Sequence, residues 1–156
     1  MVSLALVSSS YTALSLDQTR QALDRAFPGI FLPENESSFV VEGEEPGEPR
    51  LVKSLAQDAK GIFLFHHKPG SFLNVAEDIK DDPRLRRLAG SDHGWMSIDL
   101  IQSITGETDA LRFVTRALAQ LAPPDAFLLV SPAGDGMEFD DRVRCELASG
   151  RDPFTE

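Results

Sequence analysis

The sequence predicts an α/β protein of the α+β type, and three stretches carry that prediction. His93 to Pro132 reads as a strand, a helix and a second strand in one run. In HGWMSIDLI (93–101), Met96, Ile98 and Leu100 fall on one face at period two, while His93, Trp95, Ser97 and Asp99 fall on the other. Val2 to Val7 followed by a helix-start signal at Ser15 gives a first strand–helix pair, and the aromatic-rich run Gly61–His67 gives a strand between the two units.

Taken in order, Val2, Leu4 and Leu6 share one face of the first strand, and the smaller Ser3 and Ala5 leave room on the other. Ser15-Leu16-Asp17-Gln18 has the form of a capping box, in which the serine hydroxyl and the glutamine side chain each satisfy a backbone amide. The helix it opens runs over 16–27, with Leu16, Leu23, Ala26 and Phe27 as its inner stripe, and Pro28-Gly29 ends it. Ser38 to Val41 is apolar enough for a short strand. EGEEPGEPR (42–50) reads as a solvated loop, because its carboxylates follow no calcium-loop spacing. Leu51, Val52, Leu55 and Ala56 favour a short helix over 51–59.

Gly61 to His67 has the character of a strand covered over most of its length, with Lys68-Pro69-Gly70 ending it. Residues 71–90 turn helical, with Phe72, Val75, Ala76 and Ile79 in one stripe, and form an insertion between strands. Thr105 to Asp109 supplies cap-type residues for a helix whose stripe is Leu111, Val114, Leu118 and Leu121, stopped by Pro123-Pro124. Phe127 to Val130 is a buried strand and Ser131 to Gly136 a plain turn; Gly134 and Gly136 lack the lysine of a phosphate-cradling loop. Asp140 to Ala148 forms a last short helix, and 150–156 is expected to fray.

The strongest elements are then strands at 2–7, 61–67, 93–101 and 126–131 and helices at 16–27 and 107–121. That is the βαββαβ order of a ferredoxin-like sandwich, here with a helical insertion between the middle strands. It implies a first strand and a 93–101 strand that are central and parallel, two helices on one face, and a second face left open. The alternative is a three-layer α/β sheet in which the insertion and the last helix cover that second face.

Composition narrows the partners. The 156 residues suit a single domain, 1–156, and 42% hydrophobic with 26% charged residues is ordinary for a soluble globular chain. Twenty-five acidic against fifteen basic residues give a net charge of −10, which disfavours nucleic acid and anionic lipid surfaces. The apolar start has neither a basic flank nor signal-peptide length, and no run reaches the roughly 20 apolar residues of a membrane span. A cytoplasmic protein is expected. A lone cysteine, Cys145, excludes an internal disulfide and multi-cysteine metal sites, and it reads as a small apolar helix residue.

The segments SLALVSSSYTALSLDQTRQALDRAF, HGWMSIDLI and FVTRALAQLAPPDAFLLVSPAG resemble an uncharacterised bacterial protein family, a domain of unknown function. Its members share an opening strand–helix, a central strand beginning with His and a closing helix–strand. The resemblance implies a soluble bacterial protein and supplies no reaction; the 42–50 loop has no counterpart in it.

Chemistry is concentrated on one strand face. An antiparallel pairing of 61–67 with 93–101 brings His66 or His67 near His93, with Asp92 or Asp99 beside them. Imidazoles and a carboxylate are zinc or non-haem metal ligands, and also general bases with an orienting carboxylate. His66 and His67 point to opposite faces, so only one joins His93, and no named metal motif is present. No cofactor is expected. Ser8-Ser9-Ser10 lacks a nucleophile elbow and reads as a turn. Two functions follow. One is a protein-interaction module that uses the open face to meet a partner or to form a homodimer. The other is a small enzyme or a metal or small-ligand binder, with His66, His93, Trp95, Ser97 and Asp99 as its pocket.

Overall fold

The computed structural model describes residues 2–11, 13–27, 39–43, 49–55, 60–70, 83 and 94–155. Its elements are β1 (Ser3–Ser8), α1 (Leu16–Ala26), β2 (Phe39–Glu42), β3 (Arg50–Ser54), β4 (Gly61–Pro69), β5 (Gly94–Ser103), α2 (Glu107–Leu121), β6 (Ala126–Val130), β7 (Gly136–Glu138) and α3 (Asp141–Ala148). The strands form one antiparallel sheet in the order β2-β3-β4-β5-β1-β6-β7. This is a mixed α+β arrangement, and its strand order is not that of a ferredoxin-like sheet.

One expectation fails at the sheet centre. β1 and β5 are central neighbours, but they run antiparallel, from Ser3↔Asp99 to Ser8↔Gly94. β2 runs in the direction of β1, and the three reversals along β2-β3-β4-β5 then leave β5 pointing the opposite way. The stretch expected to be a helix from 51 is instead strand through Ser54, and its residues 56–59 lie outside those described. Glu42 and Arg50, expected in a loop, are strand residues of the β2–β3 pair. β4 also continues past His67 to Pro69.

The capping box forms as the sequence indicates. The Ser15 hydroxyl accepts from the Gln18 amide at 3.0 Å, and the Ser15 amide donates to Gln18 Oε1 at 2.9 Å. α2 starts at Gly106 with no side-chain cap, whereas α3 starts at Asp140, whose carboxylate accepts from the Val143 amide at 2.8 Å.

All three described helices pack on one sheet face. Leu23 of α1, Phe113 and Leu118 of α2 and Leu147 of α3 share a core with Leu4, Leu6, Phe63, Met96, Ile98 and Leu129 from the strands. At its centre the buried Phe113 ring lies 4.0 Å from Phe63, 5.3 Å from Phe27 and 5.9 Å from Phe39, ring centre to ring centre. Offset and tilted aromatic contacts of this kind add to the burial itself. Because α3 joins this core, the three-layer alternative, which put the last helix on the opposite face, does not hold for that helix; the 71–90 insertion, apart from residue 83, lies outside the described residues. Among the described residues no helix is long and apolar enough to cross a membrane.

The C-terminal stretch is ordered rather than frayed through Thr155. Phe154 packs on the core and its amide donates to Asp152 Oδ1 at 3.0 Å, while Gly150 turns the chain at φ +84° with its amide on the Leu147 carbonyl. The Ser131–Gly136 turn closes a hairpin onto β7, a strand of three residues too short to announce itself by periodicity.

Candidate functional site

Period two in β5 sends Met96 and Ile98 into the helix-side core and Trp95, Ser97 and Asp99 to the other face, as the sequence indicates. Leu100, the third residue of the apolar set, is partly buried against the same core. The alternation ends just beyond it, where the β4–β5 register shifts and Ile101 has no cross-strand partner and stands 58% exposed.

The register decides which side chains meet on the far face. Asp99 lies opposite Ser3 of β1, Ser97 lies between Ala5 of β1 and His66 of β4, and Trp95 lies opposite Lys68. These residues, with Val130 of β6 and the turn at Ser131, Pro132 and Gly134, line a concavity of about 410 Å³. Beneath its β1–β6 side Ala5, Val7, Leu128 and Val130 form a small second apolar cluster, against which Trp95 and Phe127 pack.

Asp99 is the hub. The Ser3 hydroxyl donates to its Oδ1, the Ser97 hydroxyl approaches its Oδ2 at 3.4 Å, and His66 Nε2 lies 3.6 Å from the same oxygen. The imidazole is also tilted against the Trp95 indole at 6.5 Å between ring centres. A carboxylate in a central strand is costly unless it is paired. Here two hydroxyls and an imidazole meet that need, and the site still faces solvent, with the Asp99 side chain 36% exposed.

No family model, curated protein or solved structure matches the chain. Of the residues singled out in the sequence, His66, Trp95, Ser97 and Asp99 converge, whereas His93 and Asp92, and with them the His66–His93 metal pairing, lie outside the described residues. Among the described residues no group of three or more His, Cys, Asp or Glu is placed to hold a metal ion.

His67 takes the opposite face. It is buried, with its ring stacked on Tyr11 at 6.2 Å and its Nδ1 3.4 Å from the tyrosine hydroxyl. A smaller cavity of about 170 Å³ opens there between Tyr11, Leu14, His67 and Pro123, and Trp95 stands in the walls of both cavities. The turn after β1 is held close to β5: the Ser8 hydroxyl reaches the Gly94 carbonyl at 3.3 Å, and a Cβ on Gly94 would stand 2.7 Å from Tyr11 Cα and 2.8 Å from the Ser10 carbonyl oxygen. Cys145, read as a small apolar helix residue, is exposed on α3.

Sequence reasoning missed Ser3 and Lys68 as site residues. Ser3 was visible as a small residue facing the open side, but its role depends on a register of 96 residues' separation that no local pattern encodes. Lys68 was hidden because Lys-Pro-Gly looks like a strand terminator.

The chemistry on offer is limited by where the protons point. Both serine hydroxyls are directed at the carboxylate, so the arrangement is not a hydroxyl–imidazole nucleophile relay. It offers an acceptor-rich carboxylate end, an imidazole beside it, an aromatic wall and one lysine.

Proposed function

We propose that this chain is a binding module that receives its ligand on the sheet face opposite the helices, in the concavity around Trp95 and Asp99. One observation carries the reading: side chains from three strands, Ser3, His66, Trp95, Ser97 and Asp99, converge in a cavity of about 410 Å³. That is within the roughly 300–1,000 Å³ of ligand sites, and an apolar wall with a few converging polar groups is their usual lining. A protein segment or a second copy of the chain is an alternative occupant of the same face. The net charge of −10 speaks against nucleic acid and anionic membranes, and a cytoplasmic, bacterial setting accords with the sequence.

A second reading, a small enzyme, is favoured by the His66–Asp99 pair alone, since a carboxylate 3.6 Å from an imidazole nitrogen can orient a general base. The test of the main proposal is a small-molecule fragment screen on the full chain by Trp95 fluorescence and thermal shift, with size exclusion run in parallel. Hits that move Trp95 emission and disappear in Asp99→Asn support a ligand site. Concentration-dependent dimerisation abolished by the same substitution transfers the face to a second copy, and silence in both overturns the proposal.

A further inference from the structure

We infer that the ligand is a zwitterion of about di- or tripeptide length, with its ammonium end at Asp99 and its carboxylate end at Lys68. The inference rests on the reading of the concavity as a ligand site and specifies what that site selects.

The site is polarised along the strands. At one end, Ser3 and Ser97 direct their hydroxyl protons at the Asp99 carboxylate, and so present lone pairs rather than protons to anything that enters. A carboxylate has about four lone-pair sites, and two hydroxyls with the His66 imidazole beside Oδ2 leave acceptor capacity for a donor-only group such as an ammonium with its three protons. At the other end Lys68, exposed and directly across from Trp95, is a donor-only group that calls for an anion. Between them lie the His66 ring and the Trp95 indole, which suit an uncharged and partly apolar middle.

Charge balance excludes the simpler ions. An anion would meet Asp99 at one end and a protein of net charge −10 around it. A simple cation would meet Lys68. A neutral polyol can donate hydroxyl hydrogen bonds to the carboxylate and accept them from the ammonium, but it brings a counter-charge to neither. A dipolar ligand brings an opposite charge to each end, and charge-assisted hydrogen bonds are the stronger ones.

The span agrees. Asp99 and Trp95 are four residues apart in β5, or about 13 Å at 3.3 Å per residue. The flexible four-carbon stem of Lys68 shortens the gap to be bridged. Two or three extended residues reach about 7–10 Å.

The experiment uses the full chain, isothermal titration calorimetry and Trp95 emission, with four probes: Ala-Leu-Ala with free ends, its N-acetylated form, its C-amidated form, and glucose. The free peptide is expected to bind, and blocking either end to weaken it about tenfold or more, as loss of a charged hydrogen bond does. Asp99→Asn should then bind the free and N-acetylated peptides alike, and Lys68→Gln the free and C-amidated peptides alike, with both variants still unfolding in one cooperative transition. Equal binding of free and blocked peptides, or tighter binding of glucose, keeps the site and overturns the zwitterion. Silence towards all four probes also overturns it. Silence towards the fragment screen as well removes the ligand site itself.

Discussion

Met96 and Trp95 are consecutive in β5, yet they belong to opposite sides of the molecule. Met96 looks into a core closed by the three described helices, where the strand side chains are mostly apolar, with Arg50, Ser54 and His67 buried among them, and Phe113 touches a ring on each of several elements. Trp95 looks onto a face where a carboxylate, two hydroxyls, an imidazole and an ammonium stand among alanine and valine. The helix side secures the fold so completely that the other side is free to hold groups that contribute little to it. In the proposed function, stability and recognition are separated by the thickness of one sheet.

Substitutions on the two sides should separate in the same way. The largest effect is expected for Phe113→Ala, which removes a fully buried ring at the meeting point of α2 with the sheet and should cost about 3–5 kcal/mol in chemical denaturation. Leu118→Ala, one turn and a half further along α2 and equally buried, should cost about 3 kcal/mol. A midpoint near the parent's in either case would mean that α2 does not pack as described.

Gly94→Ala tests the seam between the sides. The added methyl meets backbone of the Ser10–Tyr11 turn, which cannot rotate away, so a loss of about 1–3 kcal/mol is expected together with a displaced Tyr11. An NMR spectrum with unmoved Tyr11 and His67 ring signals would show that the turn is not held there. The smallest stability change belongs to Asp99→Asn: within about 1 kcal/mol, since the group is partly solvated and the amide oxygen still accepts a serine hydroxyl. Its ligand affinity should fall nonetheless. A large stability loss from Asp99→Asn would break the division of labour between the faces.

Both faces of β5 were legible in the sequence because period two survives there from Trp95 to Leu100. β3 was not legible, and the reason is its inward set. Arg50, Val52 and Ser54 are the buried positions, two of them polar, and Leu51 faces outward, so the apolar–polar alternation that marks a strand is missing. Arg50 is tolerated at 2% exposure, and its guanidinium donates to the Leu14 carbonyl at 3.1 Å, a partner 36 residues away that no local pattern reveals. The site was half legible for a related reason. Trp95, Ser97 and Asp99 share a strand and announce a common face, but their meeting with Ser3 and Lys68 depends on cross-strand register, which follows from the whole sheet.

The place of β1 in the sheet also sets an order of events during folding. β2 to β5 pair with their sequence neighbours and are able to zip as they are made. β1 precedes both of its partners, β5 and β6, in the chain, so Ser3 waits for Asp99 and Leu6 for Leu129. Closing such distant pairs is entropically slow. On a ribosome β1 therefore emerges before either neighbour, and its apolar Leu4, Leu6 and Val7 stay unpaired until β5 and β6 have followed, which leaves this strand open to aggregation while the protein is being synthesised.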